Sequence, residues 1–295
     1  MLTSLYNDQI LTKNTNMSTN VLKLLLNLEK YHNIAISKSK ANSTNRMNSV
    51  GEGFELYIKN LFCGYLDDIQ EDKIDYEEYF SYLGNNTNPP DLIIKNSDAI
   101  EIKKIEGIST DLALNRSNPK NKLSSTSTLI TNSCRNCEEK LWIEKDILYI
   151  IGSIKDHSLN KMWLIYGDCY CATNKTYEKV KLYIQDSVKN IPDLEVGESK
   201  ELGRFNRIDP LGITNLRVRG MWTIQHPSKV FRYLETTNEF DVNCIVLKSK
   251  YLSFPSEDIT KIESNESIKI GDIKIKDPNN PAKLLEAKLI QLCLN

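Results

Sequence analysis

Two apolar runs near the middle of the chain, Asp146-Ile-Leu-Tyr-Ile-Ile-Gly-Ser-Ile154 and Lys161-Met-Trp-Leu-Ile-Tyr-Gly167, restrict the fold more than any other feature. They are β-rich and separated only by the polar residues 155–160, so they read as core strands buried on both faces. Such strands need a layer of structure above and below the sheet. Helical periodicity supplies it. Residues 17–32 carry Val21, Leu22, Leu24, Leu25, Leu26 and Leu28 on a wide apolar face, residues 50–62 align Phe54, Tyr57, Ile58, Leu61 and Phe62, and residues 173–188 repeat the pattern through Tyr177, Val180, Leu182, Tyr183 and Ile184. The order of elements predicts an α/β sandwich around a mixed sheet.

With 295 residues, 40% hydrophobic and 26% charged, the chain can bury a core large enough for one large domain or one domain with an appendage. No apolar run reaches bilayer length, and Met1-Leu-Thr-Ser-Leu-Tyr-Asn-Asp8 lacks the basic and apolar regions of a signal peptide, so a cytoplasmic protein without a membrane partner is expected. A net charge of −1 argues against a generally basic surface that coats nucleic acid, so any DNA contact must be local. Seven cysteines, an odd number, point to reduced thiols. Cys134, Cys137, Cys169 and Cys171 either gather a structural zinc or are buried free thiols; the CxC half and the missing knuckle glycines favour the second.

Candidate chemistry sits in Pro90-Asp91-Leu-Ile-Ile-Lys-Asn-Ser-Asp-Ala-Ile-Glu101-Ile102-Lys103. Leu92-Ile93-Ile94 and Ala99-Ile100-Glu101-Ile102 read as a hairpin around the turn residues Asn96-Ser97-Asp98. Asp91 and Glu101 offer the hard oxygens that Mg²⁺ prefers, and Lys103, two residues beyond Glu101, leaves the same face of a strand. Register decides whether Asp91 joins them. A two-residue turn at Asn96-Ser97 sets Asp91 opposite Ile102 on the wrong face, whereas a three-residue turn at Asn96-Ser97-Asp98 sets it opposite Lys103 with Glu101 as a diagonal neighbour. An ordinary solvated hairpin is the competing account. Glu55, beside the apolar stripe of the second helix, is either a boundary acid or a further acid leaning over the site.

Two further segments suit nucleic acid. Residues 109–133 are dense in Ser, Thr and Asn and carry Arg116, Lys120 and Lys122, suited to phosphates and base edges or to a plain solvated loop. Arg204, Arg207, Arg217 and Arg219 cluster in residues 204–222, and Arg217 and Arg219 alternate with Leu216 and Val218 on a strand-like run that sends both guanidinium groups to one face with the apolar pair inward. Salt bridges to the chain's own acids are the alternative for these arginines.

Several ordered blocks together resemble the NgoPII type of type II restriction endonuclease, within the PD-(D/E)xK nucleases. They are Phe80-Ser-Tyr-Leu-Gly84-Asn85-Asn86-Thr-Asn88-Pro89-Pro90-Asp91, Asp98-Ala-Ile-Glu101-Ile-Lys103-Lys104-Ile-Glu106, Leu112-Ala-Leu-Asn115 with Pro119-Lys120-Asn-Lys122-Leu123, and Leu216-Arg217-Val-Arg219-Gly220-Met-Trp222. The similarity runs from about Val50 to Tyr233. It implies a restriction-endonuclease-like fold, a mixed β-sheet core flanked by helices, and Mg²⁺-dependent double-strand cleavage at a short palindrome of the GGCC kind. By motif, Asp91 and Glu101 become metal ligands, Lys103 serves the attacking water, and Glu55 is the helix acid. Asn115, Arg116, Lys120, Lys122, Arg204, Arg207, Arg217 and Arg219 become the DNA-binding set. Expected boundaries are an N-terminal helical segment and linker over 1–48, the nuclease core with recognition elements over 49–237, and a C-terminal extension packed on the core over 238–295. A palindrome implies a homodimer, with the helix at 17–32 or a C-terminal helix at 281–294 as possible interfaces, and a cognate DNA methyltransferase as genetic partner. A structure-specific repair or junction nuclease and a non-catalytic DNA-binding module with zinc are the alternatives.

Overall fold

The computed structural model describes residues 18–32, 46–64, 74–85, 88–115, 117–156, 158–191, 195–197, 201–234, 237 and 239–294. Helix α1 (Val21–Tyr31) starts where the Asn20 side chain accepts hydrogen bonds from the Leu22 and Lys23 amides, and it buries Val21, Leu22, Leu24, Leu25 and Leu28. Its apolar face is spent inside the molecule, against α2 (Arg46–Cys63) and the later helix α8 (Ser256–Glu263). Most of the predicted linker at 37–48 lies outside the described residues.

The hairpin forms as β1 (Phe80–Asn85), β2 (Asn88–Ile94) and β3 (Ala99–Ile105). The long polar loop is not structureless: β4 (Leu112–Asn115), β5 (Lys122–Ser124) and α3 (Asn132–Arg135) punctuate it. Then follow the two apolar strands, β6 (Glu144–Lys155) and β7 (Ser158–Tyr166), whose residues Ile147–Ile151 and Met162–Tyr166 are buried without alternation. After α4 (Gly167–Tyr170) and α5 (Asn174–Lys189) come the short strands β8 (Glu195–Val196), β9 (Gly203–Asn206), β10 (Leu216–Val218) and β11 (Trp222–Ile224), and then α6 (Pro227–Val230). The chain returns to the sheet with β12 (Val242–Leu247), α7 (Lys248–Tyr251), α8, β13 (Ile268–Asp277) and β14 (Asn280–Leu292).

The main sheet has the order β1-β2-β3-β6-β7-β12-β14-β13, with β5 also pairing β6. Pairing is parallel between β3 and β6 and between β7 and β12, and antiparallel elsewhere. This is the mixed sheet flanked by helices that the resemblance implies. One expectation changes: residues 281–292 are strand, not helix, and with β12 and β13 they belong to the sheet itself.

Gly152 of β6 seats α2. A Cβ there would fall 2.2 Å from Phe54 Cζ, so only glycine lets the Phe54 ring lie on the sheet. Gly152→Ala is expected to cost about 1–3 kcal/mol of stability through overpacking, read as a lower midpoint in urea at unchanged m-value.

Candidate active site

Pairing of Leu92 with Ile100 and Ile93 with Ala99, carried one residue further, places Asp91 opposite Glu101. This register is neither of the two anticipated. The loop is Lys95-Asn96-Ser97, one residue earlier: Ser97 N donates to Ile94 O at 2.9 Å, Ile94 N donates to Asp98 O at 3.0 Å, and Asn96 takes φ 55°. Asp98 leaves the turn because its carboxylate is buried, accepting from Tyr166 Oη at 2.6 Å and pairing with Lys250 Nζ at 2.7 Å. The face is the required one, and the acids are closer than the bulged register would set them.

Around this pair the electrostatics are strained. Asp91 Oδ2 accepts from Ile102 N at 2.5 Å, and Glu101 Oε1 pairs with Lys103 Nζ at 2.7 Å. Burial pushes the Asp91 carboxyl up to about 7, and the neighbouring Glu101 pushes it in the same direction. For Lys103 burial works downward, yet the carboxylates of Glu101 and Asp91 outweigh it and hold the ammonium above its ordinary value. Glu101 Oε2 is buried with no hydrogen-bond partner among the described residues. Two facing carboxyls, one with an idle buried oxygen, fit a divalent cation, whose charge would relieve the repulsion. No group of three or more His, Cys, Asp or Glu side chains suited to a metal occurs among the described residues, so the pair would need water or substrate oxygens to complete a coordination shell.

Parallel pairing of β3 with β6 aligns Glu101 with Tyr149, so both leave one face of the sheet. Gly152, which receives Phe54 from α2, lies at the opposite parity and therefore on the other face. Glu55 follows Phe54 on that helix and pairs with Lys59 at 2.7 Å; its charge is felt by Asp91 and Lys103. Lys120 lies on the Tyr149 face. Its backbone N donates to Tyr149 Oη at 2.8 Å, and Tyr149 Oη donates back to its carbonyl at 3.2 Å. A tyrosine within the apolar run 147–151 is the sequence sign of this contact, since its hydroxyl needs a partner when buried.

Lys122, grouped with Lys120 in the sequence, is committed elsewhere: it pairs with Asp146 and, at 3.3 Å, with Asp168. Asn115 ends β4, paired with Trp222 of β11, but its side chain and all of Arg116 lie outside the described residues. Arg217 faces Arg204 across β9 and β10. The side chains of Arg217 and Arg219 meet on one carboxylate, Glu201, at 2.8 and 2.7 Å. The sequence reading passed over Glu201. Arg204 donates to Asn206 Oδ1 at 3.2 Å, and Arg207, at φ 52°, leaves the strand. The common face of Arg217 and Arg219 is present, but Leu216 is 48% exposed rather than packed inward, because the three-stranded sheet β10-β9-β8 stands apart from the core sheet.

Between these groups opens a cleft of about 490 Å³, walled by Asn88 and Pro89 just before Asp91, by Ser117 and Asn118, and by Glu201, Arg219 and Trp222. The cysteines do not enter it. Burial pushes Cys134 and Cys171 up to about 12, so both are neutral thiols at ordinary pH, as expected for buried free cysteines.

The NgoPII restriction endonuclease family model matches residues 19–276. A relative from Neisseria gonorrhoeae, "Type II restriction enzyme NgoPII", is 43% identical over 276 residues, covering 92% of this chain and 98% of the relative. No solved structure matches the chain. The chain belongs to the NgoPII restriction endonuclease family. The match reaches well past the 50–233 expected from the motif blocks, taking in α1, β12 and nearly all of β13.

Proposed function

We propose that this protein is a type II restriction endonuclease that cuts both strands of DNA at a short, GC-rich palindrome of the GGCC kind. The observation that carries the reading is the facing of Asp91 and Glu101 with Lys103 alongside, on the strand whose preceding residues Asn88 and Pro89 wall a cleft that Arg219 also lines. Asp91 and Glu101 would hold Mg²⁺, which when bound would supply charge neutralisation at the phosphate and the leaving oxygen and a more acidic water. Lys103, kept protonated by its acidic neighbours, donates to the attacking water and orients it toward phosphorus. In-line attack leaves 5′-phosphate and 3′-hydroxyl ends. Glu55 tunes the pair through its charge.

Arg217 and Arg219 are the strongest candidates for guanine contacts, since a guanidinium fork matches guanine O6 and N7. Asn115, Arg116, Arg204 and Arg207 are the further candidates for DNA contacts, and Lys122 is tied to Asp146 and Asp168. A homodimer presents two such sites to a two-fold symmetric palindrome, and a cognate methyltransferase protects the host's own copies in the cytoplasm. Among the described residues no helix is long and apolar enough to cross a membrane.

Incubation of unmethylated plasmid with the protein and Mg²⁺, followed by sequencing of fragment ends, tests the reading. Discrete bands with 5′-phosphate ends at one palindrome are expected. Cutting confined to branched or damaged DNA, or bound zinc without any cutting, would overturn it.

A further inference from the structure

Lys120 is buried, with 7% of its surface exposed, and among the described residues no carboxylate pairs with it. Its ammonium instead donates to Ser117 Oγ and, at 3.2 Å, to the Asn118 carbonyl. A buried cation without a counter-charge is costly, and burial does push this amine below its ordinary value.

The backbone beneath it is held from two sides. Tyr149 Oη brackets the residue by bonding both its N and its O, and Tyr149 is the ladder neighbour of Glu101 on the same sheet face. From the other side Gly167 opens α4 without a side chain, where a Cβ would fall 2.5 Å from the Lys120 carbonyl and 2.4 Å from that of Asn121. The loop is therefore seated directly on the core beside the acidic pair, and the fields of Glu101 and Lys103 both reach the amine. Its two acceptors, Ser117 and Asn118, belong to residues that line the cleft opposite Asn88 and Pro89. The amine thus donates to two residues of the cleft wall, while its backbone rests on Tyr149, the ladder neighbour of Glu101.

We propose that Lys120 is a second catalytic lysine, whose ammonium leaves the neutral acceptors Ser117 and Asn118 to bind an anionic oxygen of the scissile phosphodiester. The inference rests on the nuclease reading above. Lys103 is neutralised by Glu101, so it brings little net charge to the phosphate, whereas Lys120 makes no ion pair among the described residues. Exchange of two neutral acceptors for a charged one is favourable, because charge-assisted hydrogen bonds are about twice as strong as neutral ones.

Lys120→Met keeps the length of the side chain and removes the cation. Single-turnover cleavage of plasmid in Mg²⁺ should fall about a hundredfold, as for loss of one transition-state donor. The salt dependence of DNA binding, measured without divalent metal, should lose about one phosphate contact from its slope. The melting temperature should hold or rise, because the unpaired buried charge is gone. A lysine that merely braces the Ser117–Asn118 turn predicts the reverse: a lower melting temperature and an unchanged slope. If Lys120→Met melts early, Lys120→Arg decides, since it retains the cation and should keep cleavage within about tenfold of wild type. Arginine activity as low as that of methionine, or methionine activity equal to wild type, would overturn the proposal. A wild-type protein that cuts no DNA would instead sink the nuclease reading, and the two failures are distinguishable on the same gel.

Discussion

Lys103→Ala is expected to bind its DNA site within a few-fold of wild type and to cut it about a thousandfold more slowly, the loss typical of one preorganised hydrogen-bond donor. The side chain is half-buried, and it pairs with Glu101 at 2.7 Å, on the same strand. Removing it leaves the strand pairing intact, so the protein should fold. It does release Glu101, which then stands with Asp91 without a compensating cation, and the metal-free variant should melt lower than wild type. Addition of Mg²⁺ should recover most of that loss. Gel-shift binding in the presence of Ca²⁺, single-turnover cleavage in Mg²⁺ and a melt with and without metal read these effects separately. Full cleavage by the alanine variant would remove Lys103 from the chemistry.

The second large effect concerns Asp91. In the unfolded chain its carboxyl loses its proton near the ordinary value of 3.8, whereas in the folded, metal-free protein it holds the proton to about 7. Between these limits the folded state binds more protons than the unfolded one, so this group's contribution to stability falls as pH rises and stays low above pH 7. Asp91→Asn abolishes the penalty. In EDTA the asparagine variant should match wild type near pH 4 and exceed it at pH 8 by roughly a few kcal/mol. The same variant should be inactive and should gain no thermal stability from Mg²⁺, while wild type gains it by binding. Melts at pH 4, 6 and 8 with EDTA or Mg²⁺ provide the test. A wild-type protein whose stability is indifferent to both pH and Mg²⁺ would contradict the placement of the two facing acids.

The interior strands were legible because burial on both faces leaves a plain mark, an apolar run without alternation, in β6 and β7. Amphipathic helices were legible for the same reason, and α5 matches its expected span to within one residue at each end. The C-terminal strand was misread. Pro-Ala-Lys-Leu-Leu-Glu-Ala-Lys-Leu-Ile-Gln-Leu, residues 281–292, is built of helix formers, with leucines at 285, 289 and 292 on helical spacing. Pairing with β12 on one side and β13 on the other overrides that local preference, and neither partner is visible from within the segment.

The site followed the same division. Asp91, Glu101 and Lys103 were identifiable as residue types at a spacing, but their register hinged on Asp98, whose draw is Lys250, far away in sequence. Likewise the arginines were evident, while Glu201, which gathers two of them, is meaningful only once β10 has formed.

β12, reached only after residue 241, lies beside β7 in the interior of the sheet, and β14 and β13 follow beyond it. During synthesis the ribosome must therefore release almost the whole chain before β7 acquires its second neighbour. Until then an apolar strand stands as an open edge, liable to stick to other nascent chains. The parallel contacts that close it, Met162 with Val242 and Leu164 with Cys244, span long stretches of sequence and form slowly. A fragment ending near residue 241 is thus an aggregation-prone intermediate, not a smaller enzyme, and high-yield production of the full chain calls for slow, cool expression.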